Sequence, residues 1–167
     1  MSRFAREAVL ASARRSGLDF FSLESLEKSD RGVPLPVQDW HWSLSHKTEF
    51  AAGVTAPFPV GVDLELPGPR HPGLFDKVGT EAEWKCLGGR DWPRFFRLWT
   101  AKEAVLKALG VGLAGLGDCR LASADGKRLN LRFGGRLWTV ETAAGRKFVA
   151  AVTPGDGSVS WEFRDSD

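Results

Sequence analysis

Asp91 and Pro93 open a stretch whose apolar residues return at helical spacing, and Gly110 closes it. An aspartate before the first turn, a proline inside it and a glycine just past the end predict a long helix running to about Leu109. Leu98, Ala101, Val105, Ala108 and Leu109 fall on one stripe of that helix, and the rest of the chain has to cover them. Glu103 and Lys107 lie nearly opposite the stripe, one turn apart. Some forty residues earlier, alternation from Val60 to Leu66 predicts a strand with Val60, Val62, Leu64 and Leu66 on one face. Gly61, Asp63 and Glu65 share the other, so two carboxylates point the same way.

Taken singly, each pair has an ordinary explanation. An acidic strand end is usually solvated, and a glutamate one turn before a lysine is usually a surface ion pair. Taken together, Asp63, Glu65 and Glu103 with a nearby ammonium are oxygen ligands for a hard cation that keeps some waters and shares phosphate oxygens with a substrate, which is the habit of Mg²⁺.

Composition removes other classes. The 167 residues suffice for one compact domain or two small fused halves with a real core. With 23 Lys and Arg against 21 Asp and Glu, the formal charge of +2 supplies no global field that would argue for nucleic acid or membrane. Cys86 and Cys119 stand alone and support neither a disulfide framework nor a zinc site, so both are expected to be buried, reduced thiols. No run reaches membrane-spanning length and no signal-peptide core follows the early arginines, which makes a cytoplasmic location the expectation.

Ahead of the strand, Phe4, Ala8, Val9 and Ala11 to Ala13 predict a first helix, with Arg3, Arg6, Arg14 and Arg15 on its wetter sides and Gly17 as its stop. Phe20 to Leu26 is apolar without a clear period, and Arg31 to Pro36 reads as a turn. Trp40, Trp42 and Leu44 alternate with His41, Ser43 and Ser45, giving a strand that ends at His46 and Lys47; Phe50, Ala52 and Val54 predict its return. Trp40 and Trp42 are expected in the core. Ser45, His46 and Lys47 offer hydroxyl, imidazole and ammonium donors suited to a phosphate.

After the acidic strand, Pro67 to Gly73 is a loop carrying Arg70 and His71, and Thr80 three before Glu83 reads as a capping box for a short helix closed by Gly88-Gly89. The glycines from Gly110 to Gly117 follow a helix instead of opening one, so they make a helix exit and not a dinucleotide loop. Leu129, Leu131 and Phe133, the Gly134-Gly135 turn and Leu137 to Val140 predict a hairpin. Phe148 to Val152 and Val159 to Phe163 predict two more strands, Trp138 and Trp161 are expected to pack, and Asp165-Ser166-Asp167 is expected to be a frayed end.

The joint pattern Gly61-Val62-Asp63-Leu64-Glu65 followed by Trp99-Thr100-Ala101-Lys102-Glu103-Ala104-Val105-Leu106-Lys107 resembles the signature of the 4′-phosphopantetheinyl transferases. Ser43-Leu44-Ser45-His46 resembles their Ser-x-Ser-His turn. Gly32-Val33-Pro34 resembles their Gly-Lys-Pro turn, with Val33 where the family supplies a lysine to coenzyme A (CoA). Arg31 and Arg70 are candidate substitutes for that lysine.

The resemblance implies an α+β fold of two similar halves, antiparallel strands packed on helices, with the N-terminal half shortened: residues 1–57, then a C-terminal half at 58–167 carrying the motifs. It implies a pseudo-dimeric monomer with CoA bound between the halves. The implied reaction is Mg²⁺-dependent transfer of the phosphopantetheine arm of CoA to a serine of an acyl or peptidyl carrier protein, releasing 3′,5′-ADP. Asp63, Glu65 and Glu103 would hold the metal, Glu103 or a metal-bound water beside it would take the serine proton, and Lys107 would stabilise the attacked phosphate. Ser45, His46 and Lys47 would bind CoA, His46 at the 3′-phosphate, with Lys102 and Lys107 as further phosphate contacts. Lys102 falls near the apolar stripe. The early arginines are candidate contacts for CoA phosphates or an acidic carrier.

Two rival readings keep the same residues. One is a non-catalytic CoA- or carrier-binding homologue whose activity has been lost with the change to Val33 and the short N-terminal part. The other is a metal-dependent nuclease, which needs its second carboxylate and lysine alternating on a strand, whereas Glu103 and Lys107 are placed on a helix.

Overall fold

The structure is a computed structural model that describes residues 3–163; Asp165-Ser166-Asp167 lie outside the described residues. The architecture is α+β. Helix α1 (Arg3–Arg15) is followed by strands β1 (His41–His46), β2 (Ala51–Ala56) and β3 (Val62–Glu65). Helices α2 (Leu74–Val78), α3 (Glu81–Cys86) and α4 (Trp92–Leu109) come next, then strands β4 (Arg120–Asp125), β5 (Arg128–Phe133), β6 (Arg136–Ala144) and β7 (Val149–Val152). Strands β1 and β2 form a two-stranded sheet, and the others form a five-stranded antiparallel sheet in the order β3-β7-β6-β5-β4.

Helix α4 is the centre of the larger core. Asp91 accepts a hydrogen bond from Arg94 N at its start, and Gly110 ends it in a left-handed conformation with φ 66°. Leu98, Ala101 and Val105 are buried against Leu129, Leu131, Val140 and Ala151 of the sheet, each large apolar side chain contributing about 1.5–3 kcal/mol relative to exposure. The stripe stops short of Leu109, which is 38% exposed because it lies in the last turn of the helix. The short helix α3 has the expected capping box: Thr80 accepts from Glu83 N, and the Glu83 carboxylate accepts from Thr80 N.

The N-terminal segments make a second cluster. Ala5 and Val9 of α1 pack with Leu26, Trp42 and Leu44, and α1 lies so close to β2 that a Cβ on Gly53 would meet Val9 N at 2.3 Å. The segment from Phe20 to Leu26 has no regular structure, yet Leu26 is fully buried and Arg6 donates to Leu23 O at 2.7 Å, which holds the segment against α1. Trp42 is core and donates its indole N–H to Leu35 O, whereas Trp40 is only half-buried.

Three further expectations change. Val159 to Phe163 is not a strand; Val159 and Trp161 instead lay their side chains against Val60, Val62 and Val152. Cys119 is buried and its thiol is pushed up to about 11 by burial, but Cys86 is exposed. The glycine-rich exit after α4 contains a 3₁₀ turn at Leu113–Gly115.

Candidate active site

Gly61 decides how the two motif segments meet. A Cβ on it would lie 1.9 Å from Ala104 O and 2.7 Å from Ala108 N, so only a glycine allows α4 to run backbone-to-backbone over the face of β3 that carries Asp63 and Glu65. Their cross-strand partners Ala151 and Val149 share that face and belong to the α4 core. Glu103 and Lys107, each one residue before an alanine that touches Gly61, are thereby brought to the edge of β3.

Lys107 ties three elements together. Its ammonium donates to Asp63 Oδ1 at 2.8 Å, to Val62 O at 3.2 Å and to Leu44 O at 3.5 Å, linking α4, β3 and β1. Ser45 Oγ also donates to Asp63 Oδ1, at 2.9 Å. Glu65 Oε1 accepts from Lys47 Nζ at 2.8 Å and from Trp99 Nε1 at 3.2 Å. Ser43 Oγ accepts from Val62 N at 3.1 Å, which stitches β1 to β3 where no backbone ladder joins them.

The electrostatics are those of a crowded acidic site. Asp63 is only 4% exposed, and burial pushes its pKa up even though Lys107 and Ser45 pull it down. Burial first, then the charge of Asp63, raise Glu103 from 4.5 to about 7; Glu65 adds to the rise while Lys107 and Lys47 oppose it. Asp63 Oδ2 and Glu103 Oε1 are both buried without a hydrogen-bond partner. Buried carboxylate oxygens left unpaired are unfavourable, and oxygen donors of this kind suit a hard divalent cation. The donor set therefore fits the expected metal. The side chains do not form a ready-made cage: among the described residues, no three His, Cys, Asp or Glu side chains are drawn close enough together to hold a metal ion. Lys47 and Lys107 occupy carboxylate oxygens instead.

Of the phosphate-binding candidates, His46 stands exposed at the end of β1. Ser45 and Lys47 turn to the carboxylates, as described. Lys102 is elsewhere: it is fully buried on the far side of α4, with Nζ 2.7 Å from Glu83 Oε1 and 2.7 Å from Val78 O. Its ammonium is spent on Glu83 and Val78 O and not on Asp63, Glu65 or Glu103, and the expected phosphate contact is corrected to an internal ion pair. Burial lowers the Lys102 pKa while Glu83 raises it. Burial pushes Glu83 the other way, but hydrogen bonds from Leu121 N, Lys102 and Thr80 N outweigh it and hold the carboxylate low. Arg3 pairs with Glu7, Arg6 with Leu23 O and Arg15 with Glu162, so these arginines serve the fold. Trp99 is the site residue that sequence reasoning missed; its position one turn before Glu103 was the available signal.

The 4′-phosphopantetheinyl transferase superfamily matches residues 59–153, which include β3, all of α4 and the strands they pack on. The chain belongs to this superfamily.

Individual relatives agree. The chain is similar to the 4′-phosphopantetheinyl transferase psf-1 of Bacillus pumilus, at 28% identity over 92 residues, 53% of this chain and 40% of that protein. It is similar to the 4′-phosphopantetheinyl transferase gsp of Aneurinibacillus migulanus, at 30% over 90 residues, 52% of this chain and 38% of that protein. It is also similar to the L-aminoadipate-semialdehyde dehydrogenase-phosphopantetheinyl transferase of Pongo abelii, at 27% over 139 residues, 66% of this chain and 45% of that protein. The chain matches less than half the length of each of these relatives.

Proposed function

We propose that this superfamily member transfers the 4′-phosphopantetheine arm of CoA to a serine hydroxyl of an acyl or peptidyl carrier protein, releasing 3′,5′-ADP. The observation that carries this reading is the convergence of Asp63, Glu65, Glu103 and Lys107 where α4 crosses β3 at Gly61, with two buried carboxylate oxygens still unpartnered. We propose further that residues 1–57 are a shortened N-terminal half and 58–167 the C-terminal half, acting together as a monomer in the cytoplasm.

Asp63, Glu65 and Glu103 would hold a divalent cation, Mg²⁺ by its preference for oxygen ligands. When bound, it neutralises charge on the phosphoanhydride as that bond breaks. Glu103, whose carboxyl burial and Asp63 hold high and which a cation would favour in its ionised form, is placed to accept the serine proton. The serine oxygen forms a bond to the phosphorus on the pantetheine side of the CoA diphosphate. The phosphoanhydride bond breaks, and 3′,5′-ADP leaves with the electron pair. Lys107, held by Asp63 and two carbonyls, presents its ammonium to the phosphate under attack. Ser45 and Lys47 orient Asp63 and Glu65, and His46, exposed at the strand end, would meet the 3′-phosphate.

The test is intact-mass spectrometry of a panel of apo carrier proteins incubated with this chain, CoA and Mg²⁺, beside Glu103→Gln and Asp63→Ala variants. A phosphopantetheine mass gain, lost in both variants, supports the transferase and the site together. No gain on any carrier, with CoA still bound in calorimetry, would favour the binding-only homologue; no gain and no binding would overturn both.

A further inference from the structure

Lys47 and Lys107 each hold a carboxylate of the site, but they are built in differently. The Lys107 ammonium donates to Asp63 Oδ1, Val62 O and Leu44 O, so two strands fix it as well as the helix that carries it. Asp63 is buried and takes a second hydrogen bond, from Ser45, at the same oxygen. Neither group can move without opening the joint between α4, β3 and β1. Lys47 stands in the turn between β1 and β2, where its backbone N–H donates to Phe50 O at 2.8 Å. Its side chain is 36% exposed and, among the described residues, pairs with one carboxylate, Glu65 Oε1 at 2.8 Å. Glu65 is itself 16% exposed, and its other donor, Trp99 Nε1, is farther away at 3.2 Å.

Held in this way, the three carboxylates are not yet a set of ligands. Among the described residues no three acidic, His or Cys side chains are close enough together to hold a metal ion, while Asp63 Oδ2 and Glu103 Oε1 are buried without partners. A cation that uses Asp63, Glu65 and Glu103 together must therefore draw at least one of them inward. Asp63 is anchored on two sides. Glu65 is the arm that yields most easily, because an ion pair partly in water is weakly held. An ammonium and a divalent cation sharing one carboxylate also repel each other at such short range.

We infer that Lys47 is an exchangeable counter-cation of this site: a divalent cation entering between Asp63, Glu65 and Glu103 displaces the Lys47 ammonium from Glu65 Oε1, while Lys107 keeps Asp63. The inference rests on the metal site proposed above. It makes Lys47 a positioning residue that sets how tightly the cation is held, since each binding event has to break the pair between Lys47 and Glu65.

The experiment is titration of the full chain with Mn²⁺, without CoA, followed by the electron paramagnetic resonance signal of the free ion. Wild type, Lys47→Met, Glu65→Gln and the double variant are compared. Lys147→Gln, whose ammonium lies 3.9 Å from Glu49 in the same turn, is the control for losing a nearby positive charge. Displacement predicts roughly three- to tenfold tighter Mn²⁺ binding in Lys47→Met, no comparable gain in Lys147→Gln, and no gain from Lys47→Met in the Glu65→Gln background. Lysine acylation read by mass spectrometry gives the direct signature: Mg²⁺ should raise the labelling of Lys47 and leave that of Lys107 low. Unchanged or weaker Mn²⁺ binding in Lys47→Met would mean that the ammonium stays on Glu65 as an orienting donor, and overturns the exchange. So would an equal gain in the Glu65→Gln background or in Lys147→Gln, or Lys47 labelling that Mg²⁺ does not move. A wild-type chain that binds no Mn²⁺ overturns the metal site itself, and this inference with it.

Discussion

Gly61 and Ala104 are in backbone contact: a single added carbon on Gly61 would come within 1.9 Å of Ala104 O. No rotamer relieves that clash, because both partners are main chain. Gly61→Ala must push α4 off β3 and separate Asp63 from Lys107. A stability loss of about 3 kcal/mol is expected from overpacking at a site that cannot yield, seen as a fall in Tm of roughly 6–12 °C for a chain of this size. An unchanged melting curve would mean that the helix does not rest on the strand at this point.

Glu103 gives the chain a pH dependence of defined sign. Its carboxyl is raised from 4.5 to about 7, so between those values the folded chain binds more protons than the unfolded one. The stabilisation is complete below pH 4.5 and is lost as pH rises through 7. With the site partly open to solvent, about 1–2 kcal/mol is expected across that window. Denaturant unfolding at pH 5, 6, 7 and 8 measures it, and Glu103→Gln should flatten the profile in this range. Adding Mg²⁺ should also flatten it, since a cation at the carboxylates favours their ionised forms. A wild-type profile as flat as that of the variant would sink the assignment.

Lys102 and Glu83 lie in the protein interior, 1% and 3% exposed, with their charged atoms 2.7 Å apart. Removing one member leaves the other charged and buried, so Lys102→Ala should lose about 3–5 kcal/mol. Glu83→Ala should lose at least as much, because it also strips the acceptors from Thr80 N and Leu121 N. Each single change and the pair, measured by chemical denaturation, form a double-mutant cycle with strong coupling expected. CoA affinity per folded molecule should be unaltered in Lys102→Ala; a selective loss of CoA binding would return Lys102 to the site.

The contrast between Lys102 and Lys107 shows where sequence reasoning carries and where it stops. Helix α4 and strand β3 were legible because capping, helical recurrence and strand alternation are local, and Asp91, Gly110 and the Val60-to-Leu66 pattern all lie within their own segments. The role of Lys102 was not, because its partner Glu83 comes from another helix and nothing near Lys102 announces it. Strand β4, Arg-Leu-Ala-Ser-Ala-Asp, escaped notice for a related reason: it is an edge strand with only Leu121 and Ala124 packed against the core, so its sequence carries little apolar signal. Val159 to Phe163 erred the other way. Its alternation is genuine, but Val159 and Trp161 answer it by covering Val60 and Val62, and backbone pairing is not needed for that.

Lys107 supplies the last prediction. Asp63 is 4% exposed and depends on the Lys107 ammonium and the Ser45 hydroxyl, both at Oδ1, while Oδ2 has no partner. Lys107→Met removes the only cation paired with that carboxylate among the described residues. At pH 8 the variant should lose about 2–3 kcal/mol, the scale of an uncompensated buried charge at a pair still in partial contact with water. The Asp63 pKa, already raised by burial, must rise further once Lys107 no longer lowers it. Acid then neutralises Asp63 in the variant before the wild type, so the deficit should shrink as pH falls from 8 toward 5. Asp63→Asn in the Lys107→Met background should recover most of the loss at pH 8, because it removes the charge and keeps the shape. A deficit that does not change with pH, or a double variant no more stable than Lys107→Met alone, would show that Lys107 acts through its contacts with Val62 and Leu44 and not through Asp63.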